Sequence, residues 1–112
     1  MFEPLMRYWQ TTQAICDGLE SWSAFGGRVA RGLRRMTQSS ARSRRVVAFT
    51  SGGFIGTAIQ RVLAAPDATA LEINWRIRNC AVTEFVFSGE RISLDSFNSV
   101  SHLAEPELLT YR

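Results

Sequence analysis

The residues from Arg45 to Gly53 have the types and the order of a site that holds an anion. They read Arg-Val-Val-Ala-Phe-Thr-Ser-Gly-Gly, and an apolar run from Phe54 to Ala65 follows them. We predict a buried strand, a tight glycine turn and a helix. Unpaired backbone N–H groups and the positive end of the helix dipole would meet at the turn, which suits a phosphate. Open α/β sheets commonly bind ligands there, although glycines also make such turns only to let a helix pack closely on a sheet.

The charged residues exclude several kinds of chemistry. The chain has 112 residues and a formal net charge of +3, and all 13 of its cationic residues are arginine. Without lysine there is no Walker-type phosphate loop, no Schiff base and no lysine general base. His102 is the only histidine, so one copy of the chain cannot form a two-histidine catalytic pair or a histidine-rich metal site. Cys16 and Cys80 match no metal-binding spacing, and we expect both thiols to be reduced. We expect the protein to use no metal and no cofactor.

Two helices are predicted before the anion turn. Leu5, Tyr8 and Trp9 have helical spacing, which predicts a helix within residues 4–15 that Asp17-Gly18 ends. A second helix is predicted from Glu20 to Gln38, with Ser21 as its N-cap. Its apolar residues recur at steps of three and four and form one stripe: Trp22, Phe25, Val29, Leu33 and Met36. Residues 39–43 form a polar connector.

Further elements follow the turn. The continuous apolar run of Val46–Phe49 is typical of a strand covered on both faces. A short helix is predicted from Thr69 to Trp75. Alternating apolar residues on either side of Ser88-Gly89-Glu90 predict an antiparallel hairpin, and one helical turn is expected within residues 105–109. One parallel-type strand and one hairpin make a thin sheet, whose unpaired edges would need another chain or a missing segment.

Four motifs occur in an order and spacing that a known protein family shares. The run from Val46 to Ile55 is similar to that family's late strand-turn-helix, commonly hydrophobic-Ser-His-Gly-Gly-hydrophobic-Ile. Asn79–Phe85 resembles the following Asn-x-x-hydrophobic-Thr-x-hydrophobic strand, and Asn98–Leu103 resembles the closing Asn-x-x-x-His-Leu. Residues 20–29 resemble the helix before the late strand, with its Phe-x-x-Arg-Val pattern. No single motif is specific, but as an ordered set over most of residues 20–112 they resemble the histidine phosphatase (phosphoglycerate mutase-like) superfamily.

The resemblance implies a partial three-layer α/β/α fold and phosphoryl chemistry through a phosphohistidine. In such enzymes a histidine of an Arg-His-Gly motif attacks phosphorus, two arginines and a second histidine hold the phosphoryl oxygens, and a carboxylic acid protonates the leaving group. This chain contains no Arg-His-Gly, and Ser51 stands at the position of the second histidine. The resemblance therefore assigns only Ser51, Gly52 and Gly53 to the phosphate site, with Ser51 as the one catalytic candidate.

The missing motif gives an expectation about the chain as a whole. We treat residues 1–112 as a single partial domain, with a helical segment at 1–18 and the family-like portion at 19–112. The resemblance begins about midway through the family's domain, so we favour a truncated or mis-started reading frame, and a fragment is the alternative. We expect the chain to be inactive alone, and its parent to hydrolyse or transfer phosphoryl groups.

Other residues allow different functions. Seven arginines lie between positions 28 and 45, and such a basic patch could bind nucleic acid. No aromatic residues are interleaved with these arginines, so a solvated surface is the simpler interpretation. His102 could be a lone general base, and Glu72 or Glu84 could supply a carboxylate, although such residues are commonly only solvated or paired. We expect the three tryptophans, Trp9, Trp22 and Trp75, to pack in the core or cover it.

The expected partners follow from these features. The main expectation is a phosphorylated small molecule or phosphate, and a non-catalytic phosphate-binding or protein-interaction module is the alternative to an enzyme. A homo-oligomer would cover the exposed sheet edges. We expect neither nucleic acid nor a membrane as a partner, because no apolar run approaches the roughly 18 residues of a membrane span. The sequence shows no secretory signal, so a cytoplasmic location is expected.

Overall fold

The fold combines four helices with one antiparallel hairpin. The computed structural model describes residues 3–11, 18–38 and 44–110. Its elements are, in order, α1 (Glu3–Thr11), α2 (Trp22–Thr37), α3 (Gly52–Val62), α4 (Asp67–Arg76), β1 (Val82–Ser88), β2 (Arg91–Ser99) and a 3₁₀ turn (Pro106–Leu108). The predicted α/β class is confirmed. The predicted end of the first helix, with Cys16 and Asp17, and the connector at 39–43 lie outside the described residues.

The second helix forms as its sequence predicts. The Ser21 hydroxyl accepts a hydrogen bond from the backbone N–H of Ala24 at 3.1 Å, so Ser21 is the predicted N-cap. The apolar stripe points inward: Trp22, Val29 and Leu33 are buried, while Phe25 and Met36 are half-buried. Val29 and Leu33 form the main core with Ala58 of α3. The stripe stabilises the helix by packing and offsets the helix-weakening effect of its three glycines.

A close contact between α3 and α4 fixes the centre of the molecule. A Cβ placed on Gly56 would lie 2.6 Å from the carbonyl oxygen of Ala70 and 3.3 Å from the backbone nitrogen of Asn74. Only glycine allows the two backbones to approach so closely. Ala58, Ile59, Ala70 and Leu71 are almost fully buried around this contact.

The predicted hairpin is confirmed. β1 and β2 pair in antiparallel register, with Phe85 opposite Leu94 and Ser88 opposite Arg91. Gly89 adopts a positive φ of 60° in the turn, a conformation that glycine tolerates without strain. Phe85 packs against the core of α2 and α3 and joins the hairpin to the helices.

Asn98 connects the hairpin to the end of α4 and to the segment that follows it. Its Oδ1 accepts from the backbone N–H of Arg78 at 2.8 Å, and its Nδ2 donates to the carbonyl oxygen of Arg76 at 2.8 Å. Its own backbone N–H donates to the Thr83 hydroxyl at 3.2 Å. Asn98 has a φ of 58°, which asparagine tolerates better than most residues. The first residue of the Asn98–Leu103 motif therefore has a structural role.

The predicted strand at Val46–Phe49 is not formed. The described residues have one sheet, of two strands, and residues 44–50 belong to none. All seven are exposed, and the Phe49 side chain is 98% accessible, so the expectation that this run is covered on both faces is wrong for this structure. The physical reason is the lack of a neighbouring strand, which the small predicted sheet already indicated. A strand needs a neighbour to pair with its backbone groups, and the hairpin strands pair with each other.

The contact at Gly56 gives a prediction about stability. Replacing Gly56 with alanine should lower the free energy of unfolding by about 2–3 kcal/mol, because the new methyl group would push α3 away from α4. Gly53 on the same helix is the control. A Cβ there would meet nothing closer than 3.9 Å, so Gly53→Ala should be neutral or stabilise by up to about 1 kcal/mol. Urea unfolding followed by circular dichroism measures both changes, and equal free energies for the two variants would contradict the packing described.

Candidate functional site

The predicted site residues meet at the start of α3. Ser51 is the N-cap, with φ −95° and ψ 163°, and its side chain makes no capping hydrogen bond. Its carbonyl oxygen accepts from the N–H of Ile55 at 3.1 Å and closes the first turn. Gly52 and Gly53 are the first two residues of the helix rather than a separate turn before it. Ser51 is exposed and the two glycines are half-buried.

This end of the helix can attract an anion. The first N–H groups of an α-helix have no acceptor within the helix, and the helix dipole adds a partial positive charge. The Ser51 hydroxyl can donate one more hydrogen bond, because it is not used for capping. Glycines at the first two helical positions leave the backbone N–H groups open to a ligand. The arrangement can therefore bind a phosphate through neutral donors alone.

Two other elements flank these glycines. On one side, the Phe25 ring of α2 lies 4.0 Å from the Cβ position of Gly53. On the other side, the side-chain Oδ1 of Asn74 from α4 lies 2.8 Å from the Cβ position of Gly52. An alanine at position 52 would collide with Asn74, so glycine is needed there for packing as well as for access.

A cavity of about 240 Å³ opens beside Ser51 and extends between the helices. We call it the aromatic cavity. Residues from α1, α2, α3 and α4 line it together with the N-cap Ser51: Met6, Trp9, Trp22, Phe25, Ser51, Gly53, Thr57, Ala70, Leu71 and Asn74. Ser51, Thr57 and Asn74 are the polar residues of this lining, and the rest of it is mainly apolar. The candidate anion site therefore borders a mainly apolar cavity.

Three aromatic rings form one wall of this cavity. Trp9 and Trp22 meet edge to face, with ring centroids 5.2 Å apart and planes at 87°. Phe25 lies 5.7 Å from Trp9 and 5.9 Å from Trp22. The Trp9 indole N–H donates to the carbonyl oxygen of Glu20 at 2.8 Å, which fixes its ring. These centroid distances are within the range of favourable aromatic pairs.

Glu20 also holds an arginine over this wall. Its carboxylate accepts two hydrogen bonds from Arg28, from Nε at 3.0 Å and from Nη2 at 2.9 Å. The guanidinium carbon lies 5.3 Å from the centre of the Phe25 ring, within the range of a cation–π contact. The Arg28 hydrogen bonds lower the pKa of Glu20, and the pair raises the pKa of Arg28. Arg28 is thus held by Glu20 and Phe25 within the predicted basic patch.

Asn74 is the site residue that the sequence did not reveal. It is 95% buried, and its Oδ1 has no hydrogen-bond partner within the part of the chain that the structure describes. Leaving such an acceptor unpaired costs about 1–3 kcal/mol. Asn74 lies 23 positions after Ser51, on another helix, so no local spacing connects them. Only the α3–α4 contact brings them together.

The other candidates from the sequence lie apart from this site. His102 is exposed in the turn after β2. Glu72 accepts a hydrogen bond from Arg7, and Arg7 also donates to Glu3. Glu84 is exposed on β1. Arg34 and Arg61 line a larger cavity of about 480 Å³ near the hairpin turn, and Ser51 does not border it.

The described ranges (3–11, 18–38 and 44–110) contain neither a candidate metal-binding cluster nor a candidate membrane-spanning helix. No group of three or more histidine, cysteine, aspartate or glutamate residues is arranged there to hold a metal ion. No helix there is long and apolar enough to span a membrane.

The fold is α/β, and the candidate site lies at the start of α3 beside the aromatic cavity. The sequence matches the family model of the histidine phosphatase superfamily (branch 1) over residues 2–100. The chain therefore belongs to that superfamily, as its motifs indicated. Comparisons with curated proteins and with solved structures find no match.

The ion pair beside the aromatic wall gives a prediction about pH. Because the folded-state pKa of Glu20 is lowered, its pairing stabilises the fold above the unfolded-state pKa, and this contribution is lost as the pH falls through the folded value. Arg28→Gln should raise the pKa of Glu20 towards its usual value. The stability difference between wild type and variant should be present at pH 6 and shrink at pH 3.

Carboxyl NMR titration and urea unfolding at the two pH values measure this. Arg35→Gln, an exposed change on the same helix, is the control and should leave the titration of Glu20 unchanged. An unaltered Glu20 pKa in Arg28→Gln would show that the two side chains do not pair in solution.

Proposed function

We propose that this domain binds the phosphoryl group of a phosphomonoester at the start of α3, with Ser51, Gly52 and Gly53 as the binding residues. The observation that carries the proposal is the Ser51 hydroxyl, which makes no capping bond at the open end of an 11-residue helix. Backbone N–H groups and one hydroxyl would donate hydrogen bonds to the negative phosphoryl oxygens, and the helix dipole would add to the attraction.

Membership in the superfamily supports the chemistry of the proposal. Its enzymes hydrolyse or transfer phosphoryl groups through a phosphohistidine, where the protein contributes mainly positioning and charge stabilisation. The motif resemblance assigns Ser51 to the position of the second histidine, and we propose Ser51 as the catalytic candidate on that ground. A hydroxyl can hold a phosphoryl oxygen in the same place, although a bond from a charged donor is roughly twice as strong.

We further propose that this chain alone binds phosphate without turning it over. Its only histidine, His102, is exposed in the turn after β2, between Ser101 and Leu103 rather than in an Arg-His-Gly motif. The chain therefore offers no evident nucleophile for a phosphohistidine. We propose that the phosphorylated ligand is a small molecule, because the site is a cavity and not a long groove.

The place of Ser51 gives a prediction about affinity. Ser51→His should bind inorganic phosphate about fivefold more tightly than wild type at pH 5.5, because a protonated imidazole replaces a neutral hydroxyl. At pH 8 the imidazole is neutral and the gain should disappear. Calorimetric titration at both pH values measures it, and the ratio of variant to wild type at each pH cancels the titration of phosphate itself.

The control for this prediction places the same charge elsewhere. Ser88→His adds a histidine at an exposed position at the end of β1 and should leave phosphate affinity unchanged. Equal affinities of Ser51→His and wild type at pH 5.5 would argue against phosphate binding at this helix terminus.

The proposal also predicts a negative result in an activity assay. Purified chain should show no turnover of a generic phosphomonoester above the buffer background, because it lacks the nucleophilic motif. The phosphate released over hours would be measured for wild type and for His102→Gln. Turnover that is present in wild type and absent from His102→Gln would show that His102 acts as a nucleophile or base, against the assignment made here.

A further inference from the structure

We infer that the aromatic cavity beside Ser51 is a binding subsite for a single aromatic ring, so that the ligand class is aryl phosphomonoesters. The inference rests on the proposed phosphate site and goes beyond it, since it assigns the organic part of the ligand. The phosphoryl group would lie at the start of α3, and the ring would enter between Trp9, Trp22 and Phe25.

The size of the cavity fits this class of ligand. An apolar cavity of about 150 Å³ is enough to hold benzene, whereas drug-sized ligands occupy pockets from about 300 Å³ upwards. At about 240 Å³ the aromatic cavity lies between the two. One ring with a phosphoryl group at the mouth would fill it, and inorganic phosphate alone would leave most of it empty.

The cavity wall is organised before any ligand arrives. The bond from the Trp9 indole to Glu20 and the edge-to-face contact of Trp9 with Trp22 hold the rings in place. The guanidinium of Arg28, held by Glu20, packs over Phe25 on the same wall. A rigid aromatic wall lowers the entropy that a ligand must lose on binding, and its faces and edges suit another aromatic ring.

The buried side chain of Asn74 is an independent observation that also indicates a ligand. Asn74 is nine-tenths buried and lines the cavity, and its Oδ1 lacks a hydrogen-bond donor within the described segments. This oxygen lies against Gly52 at the start of the helix. A buried amide without its partner is rare in folded proteins. A hydroxyl or N–H group on the ligand, or the protonated oxygen of a monoanionic phosphate, would supply the missing donor.

The two halves of the site are physically continuous. Phe25 belongs to the aromatic wall and also lies 4.0 Å from the Cβ position of Gly53 at the helix terminus. Ser51 and Gly53 border the cavity directly. A ring seated against Phe25 would therefore lie next to the first turn of α3, where its phosphoryl group would bind.

The test compares four probes that separate the two halves of the site. Tryptophan fluorescence and calorimetry would measure the binding of phenyl phosphate, glycerol phosphate, inorganic phosphate and phenol to the full chain. Phenyl phosphate should bind at least tenfold more tightly than glycerol phosphate and inorganic phosphate, because only its ring buries apolar surface. It should also change tryptophan emission, since Trp9 and Trp22 line the cavity.

Variants then assign the difference to the cavity. Ala70→Leu places a larger side chain in the cavity and should abolish the preference for phenyl phosphate over inorganic phosphate. Ala68→Leu, an exposed change on the same helix, is the matched control and should keep the preference. If Ala70→Leu fails to fold, Trp9→Leu removes one ring of the wall and should reduce the preference for phenyl phosphate with circular dichroism unchanged.

The outcomes distinguish this inference from the function on which it rests. Equal affinity for phenyl phosphate, glycerol phosphate and inorganic phosphate would overturn the subsite and leave the phosphate site standing. Phenol binding without any phosphate binding would overturn the proposed phosphate site and, with it, the aryl phosphate assignment. A preference for phenyl phosphate that persists in both Ala70→Leu and Trp9→Leu would place the ring elsewhere and contradict the inference.

Discussion

The close approach of α3 to α4 at Gly56 is the contact on which the rest of the structure depends. The missing side chain at Gly56 lets the helix backbone reach the carbonyl oxygen of Ala70 and buries Ile59 and Leu71 around it. One helical turn earlier, the same approach places Asn74 against Gly52 and leaves the first turn of α3 facing a cavity. A change in this contact would therefore alter the core and the candidate site together.

The candidate site combines a small amount of positive potential with a large apolar surface. Ser51 and the backbone N–H groups of α3 supply neutral donors, and the arginine at the aromatic wall is paired with Glu20. Neutral donors bind a phosphoryl group less strongly than a cation would. In the function that we propose, burial of an organic group next to the phosphate site would therefore contribute much of the affinity.

The sequence predicted the elements whose signals are local. The apolar stripe of α2, its N-cap Ser21 and the alternation of β1 and β2 each depend on neighbours within a few residues, and each was confirmed. The run Val46–Phe49 has an equally clear apolar pattern, yet it forms no strand. Strand formation depends on backbone partners that a local pattern cannot supply. Asn74 and the pairing of Trp9 with Trp22 were missed for a related reason, since tertiary packing alone joins residues from different helices.

The central claim is that the start of α3 binds a phosphoryl group, and amide NMR tests it most directly. Titration of the ¹⁵N-labelled chain with inorganic phosphate reports on each backbone N–H separately. We expect Gly52 and Gly53 to show the largest shift changes, with Ser51 next, and we expect the changes to saturate. Larger changes among the arginines between positions 28 and 45, with the glycine amides unmoved, would contradict it.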